Sequence, residues 1–192
     1  MRYFLSLGSN VGQRRKNLAR ALEALQLAGV TVLKTSSLYQ TEPVEGGGPG
    51  WFYNLAAEVS APIDPEEMLD LVKGIERRFG RQPEESGGPR SIDIDILLAE
   101  GRVMRSRRLT VPHPRLTRRN FVLVPLAEIS PEIDHPVLKK KIKELRAASS
   151  DPSVVKKLSR ALRYAHFARR PSRIRVAKKN KVGKKMIRKE ER

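Results

Sequence analysis

The stretch GGPRSIDIDILL, residues 87–98, sets Asp93 and Asp95 in alternation with Ile92, Ile94 and Ile96 inside what is otherwise a buried-strand pattern. Side chains on a strand alternate faces, so the two carboxylates share one side with their Cα atoms ~6.6–7 Å apart. Held that close they repel, and one tends to keep its proton unless a cation lies between them. Magnesium meets that need: it is hard, prefers oxygen, and is commonly held by one or two carboxylates plus substrate phosphates. The alternative is an exposed sheet face neutralised by neighbouring lysines and arginines. Arg81 and Arg90 lie upstream of the pair, and Arg108, His113, Arg115, Arg118 and Arg119 lie downstream. Cations on both sides of a carboxylate pair suit a polyphosphate bridged to metal, since arginine grips phosphate in a bidentate fork. Surface solubility explains scattered arginines equally well, so the pattern alone leaves both readings open. No ready-made phosphate cradle is present: GGGPGW at 46–51 lacks the Gly-Lys-Ser/Thr of a P-loop, and no G-x-G-x-x-G opens a helix. Two glycine-rich loops, 45–50 and 81–88, are candidates for lids over a site or for plain solvent-exposed connections.

The elements that must position these residues follow from periodicity. RYFLSL at 2–7 reads as a strand, and Gly8-Ser9-Asn10 breaks it before RRKNLARALEALQLAG, where Leu18, Leu22 and Leu25 recur at helical spacing up to a stop at Gly29. VTVLKTSSLYQT reads as a strand, EPVEGGGPG as a loop and FYNLAAEVSAP as a further strand. In DPEEMLDLVKGIERRFG, Asp64 is the expected N-cap and Pro65 the first helical residue; Met68, Leu71, Val72 and Ile75 form an apolar stripe, and Gly80 is the stop. Strand, helix, strand, strand, helix, strand is the split βαβ order of the ferredoxin-like class. The expected fold is therefore α+β, an antiparallel sheet with helices packed on one face. Beyond the aspartate strand the many prolines predict loop, a short strand or turn, then a short helix near 122–128.

A chain of 192 residues with 39% apolar content suits one domain with an appendage. The lack of cysteine excludes disulfides and thiolate zinc sites and points to a reducing cytoplasm. The opening apolar run is too short for a signal peptide, and no stretch nears the ~18 apolar residues of a membrane span. The formal charge of +18 is uneven: residues 151–192 hold 16 Lys or Arg against 3 acidic residues, whereas the first 150 carry a net +5. A mildly basic body suits an anionic ligand such as a nucleotide. The expected division is a domain over 1–150 and a basic tail over 151–192. Leu158, Leu162 and Ala165 predict a short helix in that tail, with disorder after Pro171. Through counterion release the tail suits nucleic acid or an anionic membrane surface; a solvated extension without a partner is the alternative.

GPRSIDIDILL, RLTVPHPRL, FVLVPLAEISPEIDHP, the opening LSLGSNVG, and SSLYQTEPV followed by WFYNLAAEV together resemble the hydroxymethyldihydropterin pyrophosphokinases of the folate pathway. The motifs keep that family's order and spacing from residue 2 to 149. The resemblance implies transfer of pyrophosphate from ATP to the hydroxymethyl group of 6-hydroxymethyl-7,8-dihydropterin, giving AMP and the pterin diphosphate. It implies that Asp93 and Asp95 hold two Mg²⁺ ions along the ATP phosphates, with Asp93 also bordering the pterin. Arg81 and Arg90 match mobile-loop arginines that engage phosphate on closure and complete the catalytic set with the aspartates. His113 and Arg119 match triphosphate contacts, Arg108 another nucleotide-side position, and Glu76 an acid near the adenosine. For the pterin, Phe52 and Phe121 match stacking aromatics and Asn54 the group that bonds the amide edge, while Thr41, Pro43 and Val44 match the pocket lining. Without the resemblance Phe52 and Phe121 read as core residues and His113 as a loop histidine bonded to backbone. Asn54 within an apolar strand needs partners on any reading.

The sequence departs from the family pattern in two places. Ser86 and Gly87 stand where a basic and an aromatic or amide residue are common, and Thr117-Arg118 replaces a His-Glu pair. A competing class is a nucleic-acid module on the same fold. That class predicts a glycine-and-aromatic strand motif, which is absent, and paired strand aspartates would repel a phosphate backbone unless metal covered them.

Overall fold

The computed structural model describes residues 1–43, 50–80 and 88–165. In chain order the elements are β1 (Arg2–Ser9), α1 (Arg14–Leu27), β2 (Thr31–Thr35), β3 (Ser37–Thr41), β4 (Phe52–Ser60), α2 (Pro65–Arg78), β5 (Asp93–Ala99), β6 (Met104–Arg105), β7 (Thr110–Val111), α3 (Asn120–Ile129), α4 (Ile142–Ala147) and β8 (Val155–Ala161). A 3₁₀ turn at Leu116–Arg118 precedes α3. One sheet runs β5-β1-β4-β3-β8, with β2 also on β4, and every pairing in it is antiparallel.

Alternation along β1 decides how the layers form. Tyr3, Leu5 and Leu7 join Leu55, Ala57, Val59, Ile94 and Ile96 in a core closed by Leu18, Leu22 and Leu25 of α1 and by Met68, Val72 and Ile75 of α2. Phe4 faces the other way and joins Ala56, Leu97 and Leu98 beneath Val122, Leu123 and Leu126 of α3 and Ile142 and Leu145 of α4. Helices thus cover both faces, not one as the strand order alone suggests. The second face is apolar only at its Phe4–Ala56–Leu98 end; its other end carries Gly8, Asn54, Asp93 and Asp95 and is left for chemistry.

Local signals set the element ends. Asp64 caps α2 through the amides of Glu66 and Glu67, and Glu67 returns the bond to the Asp64 amide at 2.9 Å, a reciprocal capping box. The expected strand over 30–41 divides at Ser36, which bonds both backbone groups of Ala56 and so separates β2 from β3. The short helix expected within the tail is instead a strand, β8, paired with β3. An edge strand tolerates exposed lysines, which guard it against further pairing, so Lys156 and Lys157 fit there. Leu162 then turns into the α1 and α2 core, while Leu158 is exposed. The chain reaches α1 at Ala165, whose amide donates to Glu23 and whose carbonyl accepts from Gln26. The disorder expected further along lies outside the described residues. Among the described residues no helix is long and apolar enough to cross a membrane.

Candidate active site

Strand register builds the site in rows. Gly8 pairs with Asp93 on one side and Asn54 on the other, Ser6 lies opposite Asp95 and Ala56, and Phe52 lies opposite Thr41. With a period of two, Asp93, Asp95, Asn54 and Phe52 share the face on which α3 lies. Asn54 is only 3% exposed, and its Nδ2 donates to Thr41 Oγ1 at 2.7 Å, which satisfies a buried amide. A Cβ on Gly8 would stand 2.6 Å from Asn54 Oδ1, so the carboxamide lies across β1 only because position 8 has no side chain. Phe52 is half-buried at the mouth of β4, and Pro43 is half-buried just past β3.

At the aspartate end, Arg90 Nη1 donates to Asp93 Oδ2 at 2.6 Å. Its backbone is held by Asn10: the Arg90 amide donates to Asn10 Oδ1 at 2.6 Å, and the Asn10 amide donates to the Arg90 carbonyl at 3.1 Å. Among the described residues the buried Arg90 Nε has no hydrogen-bond partner. The outer edge of β5 is closed by two contacts: the Ile94 amide donates to Glu76 Oε1 at 2.8 Å, and the His113 amide donates to the Leu97 carbonyl at 2.9 Å. Glu76, expected near the adenosine, is 1% exposed and also accepts from Lys73 Nζ at 2.8 Å. It sits behind the aspartate strand and braces the amide between the two carboxylates.

Cations close the far side. Burial first, then the charges of Arg119 and Arg115, push the His113 pKa down to about 4 against an opposing pull from Asp93. The ring is therefore neutral at pH 7, and since the Arg115 amide donates to Nδ1 at 3.1 Å, its proton is on Nε2. Arg119 has Arg115, Asp95, Asp93 and Arg90 as charged neighbours; burial and then Arg115 lower its hold on its proton. Its guanidinium lies 5.4 Å from the centroid of the Phe121 ring. Arg108 stands apart on the β6–β7 hairpin, paired with Asp70 of α2. Arg81 and Val44, like most of both glycine-rich loops, lie outside the described residues.

Reading from spacing missed Gly8, Asn10 and Asp151. The signal for the first was a glycine at the end of an apolar strand, which marks close approach of another group. Among the described residues no group of three or more His, Cys, Asp or Glu gathers to hold a metal. Two carboxylates with hard oxygen donors nevertheless fit Mg²⁺ where phosphate oxygens and water complete the shell.

Oxygen donors suited to a divalent cation, beside guanidiniums suited to phosphate, put the chain among enzymes that move phosphoryl groups. Comparison with known proteins narrows that class. The model of the family 7,8-dihydro-6-hydroxymethylpterin-pyrophosphokinase (HPPK) matches residues 4–131, and the chain belongs to that family. It is 40% identical over 154 residues to the 2-amino-4-hydroxy-6-hydroxymethyldihydropteridine pyrophosphokinase of Bacillus subtilis (strain 168), covering 80% of this chain and 87% of that one. It is 38% identical over 143 residues to the protein of the same name from Aquifex aeolicus (strain VF5), covering 74% and 89%. Among solved structures, a triple mutant of Plasmodium falciparum HPPK-DHPS aligns with a TM-score of 0.59 at 19% identity, covering 76% of this chain and 42% of that one, a likeness of fold.

Proposed function

We propose that the chain transfers pyrophosphate from ATP to the hydroxymethyl group of 6-hydroxymethyl-7,8-dihydropterin, releasing AMP, as a step in tetrahydrofolate synthesis. Family membership supports the reaction. The observation that carries it in this chain is the row Asp93–Gly8–Asn54, which sets a phosphate-side carboxylate and a buried amide two strands apart on one face. The Asn54 carboxamide, anchored by Thr41, meets the donor and acceptor edge of the pterin. Phe52 and Phe121 bracket its ring, Pro43 and Val44 line the pocket, and Asp93 borders the hydroxymethyl group.

Two Mg²⁺ ions are the proposed cofactors, held by Asp93 and Asp95; when bound, such ions neutralise phosphate charge and align the reacting oxygens. Arg90 orients Asp93 through its 2.6 Å bond, and its buried Nε, without a partner among the described residues, is the proposed donor to a phosphate oxygen. His113 offers Nε2–H as a neutral donor to the triphosphate, and Arg119 offers its guanidinium from the other side. Arg81 and Arg108 complete the proposed nucleotide contacts by their places in the family motifs. The hydroxymethyl oxygen bonds to the β-phosphorus and gives up its proton to solvent as the bond from that phosphorus to the oxygen kept by AMP breaks, so alignment and charge supply most of the rate.

The strand order β5-β1-β4-β3 supports a ferredoxin-like topology for the sheet. The cysteine-free sequence supports a cytoplasmic setting. The folded unit is proposed to include residues 151–165, and the basic residues after them to take polyanions by charge alone; composition supports this. The reaction is tested by mixing the full chain with MgATP and the reduced pterin and following AMP. Release of AMP that requires the pterin is expected, and release of ADP instead would overturn the reading.

A further inference from the structure

Arg119 and Phe121 flank Asn120, the first residue of α3, and Arg119 at the N-cap position makes no side-chain cap of its own. The acceptor comes from elsewhere in the chain. Asp151 Oδ2 accepts from the Asn120 amide at 2.6 Å, and Asn120 Nδ2 donates to the Asp151 carbonyl at 2.7 Å. Asp151 is itself fixed, because its Oδ1 accepts from the Ser153 amide at 2.9 Å and from the Ser153 hydroxyl. Immediately afterwards the Val154 amide donates to Glu42 Oε2 at 3.0 Å, and Val155 enters β8 opposite Thr41. We propose that residues 151–155 form a clasp that joins the start of α3 to the Thr41 wall, with Asp151 as the positioning residue for Arg119 and Phe121. What those two residues touch rests on the proposed function.

Three features set this tie at the first turn of α3 and beside Arg119. Val122, Leu123 and Leu126 hold the body of α3 against the sheet and Phe121 packs on the same cluster, so the Asp151 bonds add to the first turn the hydrogen bonding that packing does not supply. A carboxylate at a helix N-terminus also meets the positive end of the helix dipole. Partial burial works against the Asp151 charge, but bonds from Ser153 and the Asn120 amide, with the Arg119 charge, outweigh it and hold the carboxyl below its ordinary range. The clasp therefore bonds Asn120 and lies electrostatically beside Arg119.

Asp151→Ala and Asp151→Asn in the full chain separate the outcomes. Asp151→Ala should raise the KM for the pterin and for MgATP about fivefold, the size of a lost cap, with a smaller change in kcat. Asp151→Asn should recover only part of that loss, since its single amide oxygen can still accept from Asn120 while its amide nitrogen replaces the oxygen that accepts from Ser153. Amide hydrogen exchange at residues 120–123 should quicken in the alanine variant and return toward wild type in the asparagine variant. A lower melting temperature with both KM values unchanged would overturn the proposal, as would unchanged exchange at residues 120–123 in the alanine variant. Arg119→Ala and Phe121→Ala serve as controls. If they leave both KM values unaltered, the substrate reading of α3 fails, and the exchange measurement then decides the clasp alone: unchanged exchange overturns it.

Discussion

Gly8 shows how far a single missing side chain shapes the site. Asn54 is tied to Thr41 on one side, β1 and β4 are paired along eight residues, and neither strand can retreat from a new methyl group. Gly8→Ala should therefore rotate the carboxamide, raise the pterin KM about tenfold or more, and cost about 1–3 kcal/mol in denaturant unfolding, with MgATP binding little changed. Asp93→Asn and Asp95→Asn should instead lower kcat about 10²–10³-fold with the fold intact, as expected for charge stabilisation in transfer. The carboxylates and Asn54 were legible because period two puts them on one face of apolar strands. Gly8 reads first as a turn; a glycine ending an apolar strand marks a close approach, but nothing local tells which side chain, here one from β4, needs the space. His113 gives a third expectation. Its folded pKa of about 4 lies below the ordinary 6.5, so the unfolded chain takes the proton first. Its contribution to stability is complete above pH 6.5 and is lost as pH falls toward 4. An NMR titration of the nucleotide-free chain should find that pKa near 4, and MgATP should raise it where a phosphate oxygen accepts from Nε2–H. A value near 6.5 would show that the ring is not held as described.

At the scale of elements, β8 was the segment that sequence pattern misread. Leu158 and Leu162 are four apart, which suits a helix, but β3 offers an unpaired edge and pairing is a long-range fact that spacing does not carry. The junction is polar and centres on Glu128 of α3. Its carboxylate accepts from the Ser37 hydroxyl at 2.7 Å, the Ser37 amide at 3.0 Å, the Tyr39 hydroxyl at 2.7 Å and Lys157 of β8 at 3.1 Å. Partial burial opposes the charge, yet the bonds from Ser37, Tyr39 and Lys157 prevail and hold Glu128 below its ordinary 4.5. A depressed carboxyl stabilises the fold above the unfolded value and loses that contribution as pH falls through the folded one. Glu128→Gln puts an amide donor where donors already converge, so it should cost about 1–3 kcal/mol at pH 7. The difference from wild type should shrink as pH drops below 4.5, as read in urea unfolding at several pH values.

For the whole molecule the question is where the folded unit ends. Composition placed the change at residue 150, because basic residues become dense there, and charge density says nothing of where a strand will pair. Asp151, the β8 pairing and the buried Leu162 all belong to the body, and the contacts of Ala165 with Glu23 and Gln26 bring the chain back to α1. A chain stopped after Ala165 should keep the melting temperature and AMP release of the full chain. One stopped after Ser150 should lose the outermost strand and the cap on α3, and with them solubility or most of its turnover. Residues 166–192 hold 12 Lys or Arg against 2 acidic residues, so the two truncations also separate catalysis from polyanion binding. If charge alone drives that binding, the logarithm of affinity for a single-stranded oligonucleotide should fall linearly with the logarithm of salt concentration, with a slope of about −0.7 per phosphate neutralised. The chain ending at Ala165 should bind the oligonucleotide weakly while turning over pterin normally. Equal oligonucleotide affinity in both chains would move the polyanion site onto the body, where the arginines around Asp93 and Asp95 would be the first candidates and MgATP should then compete.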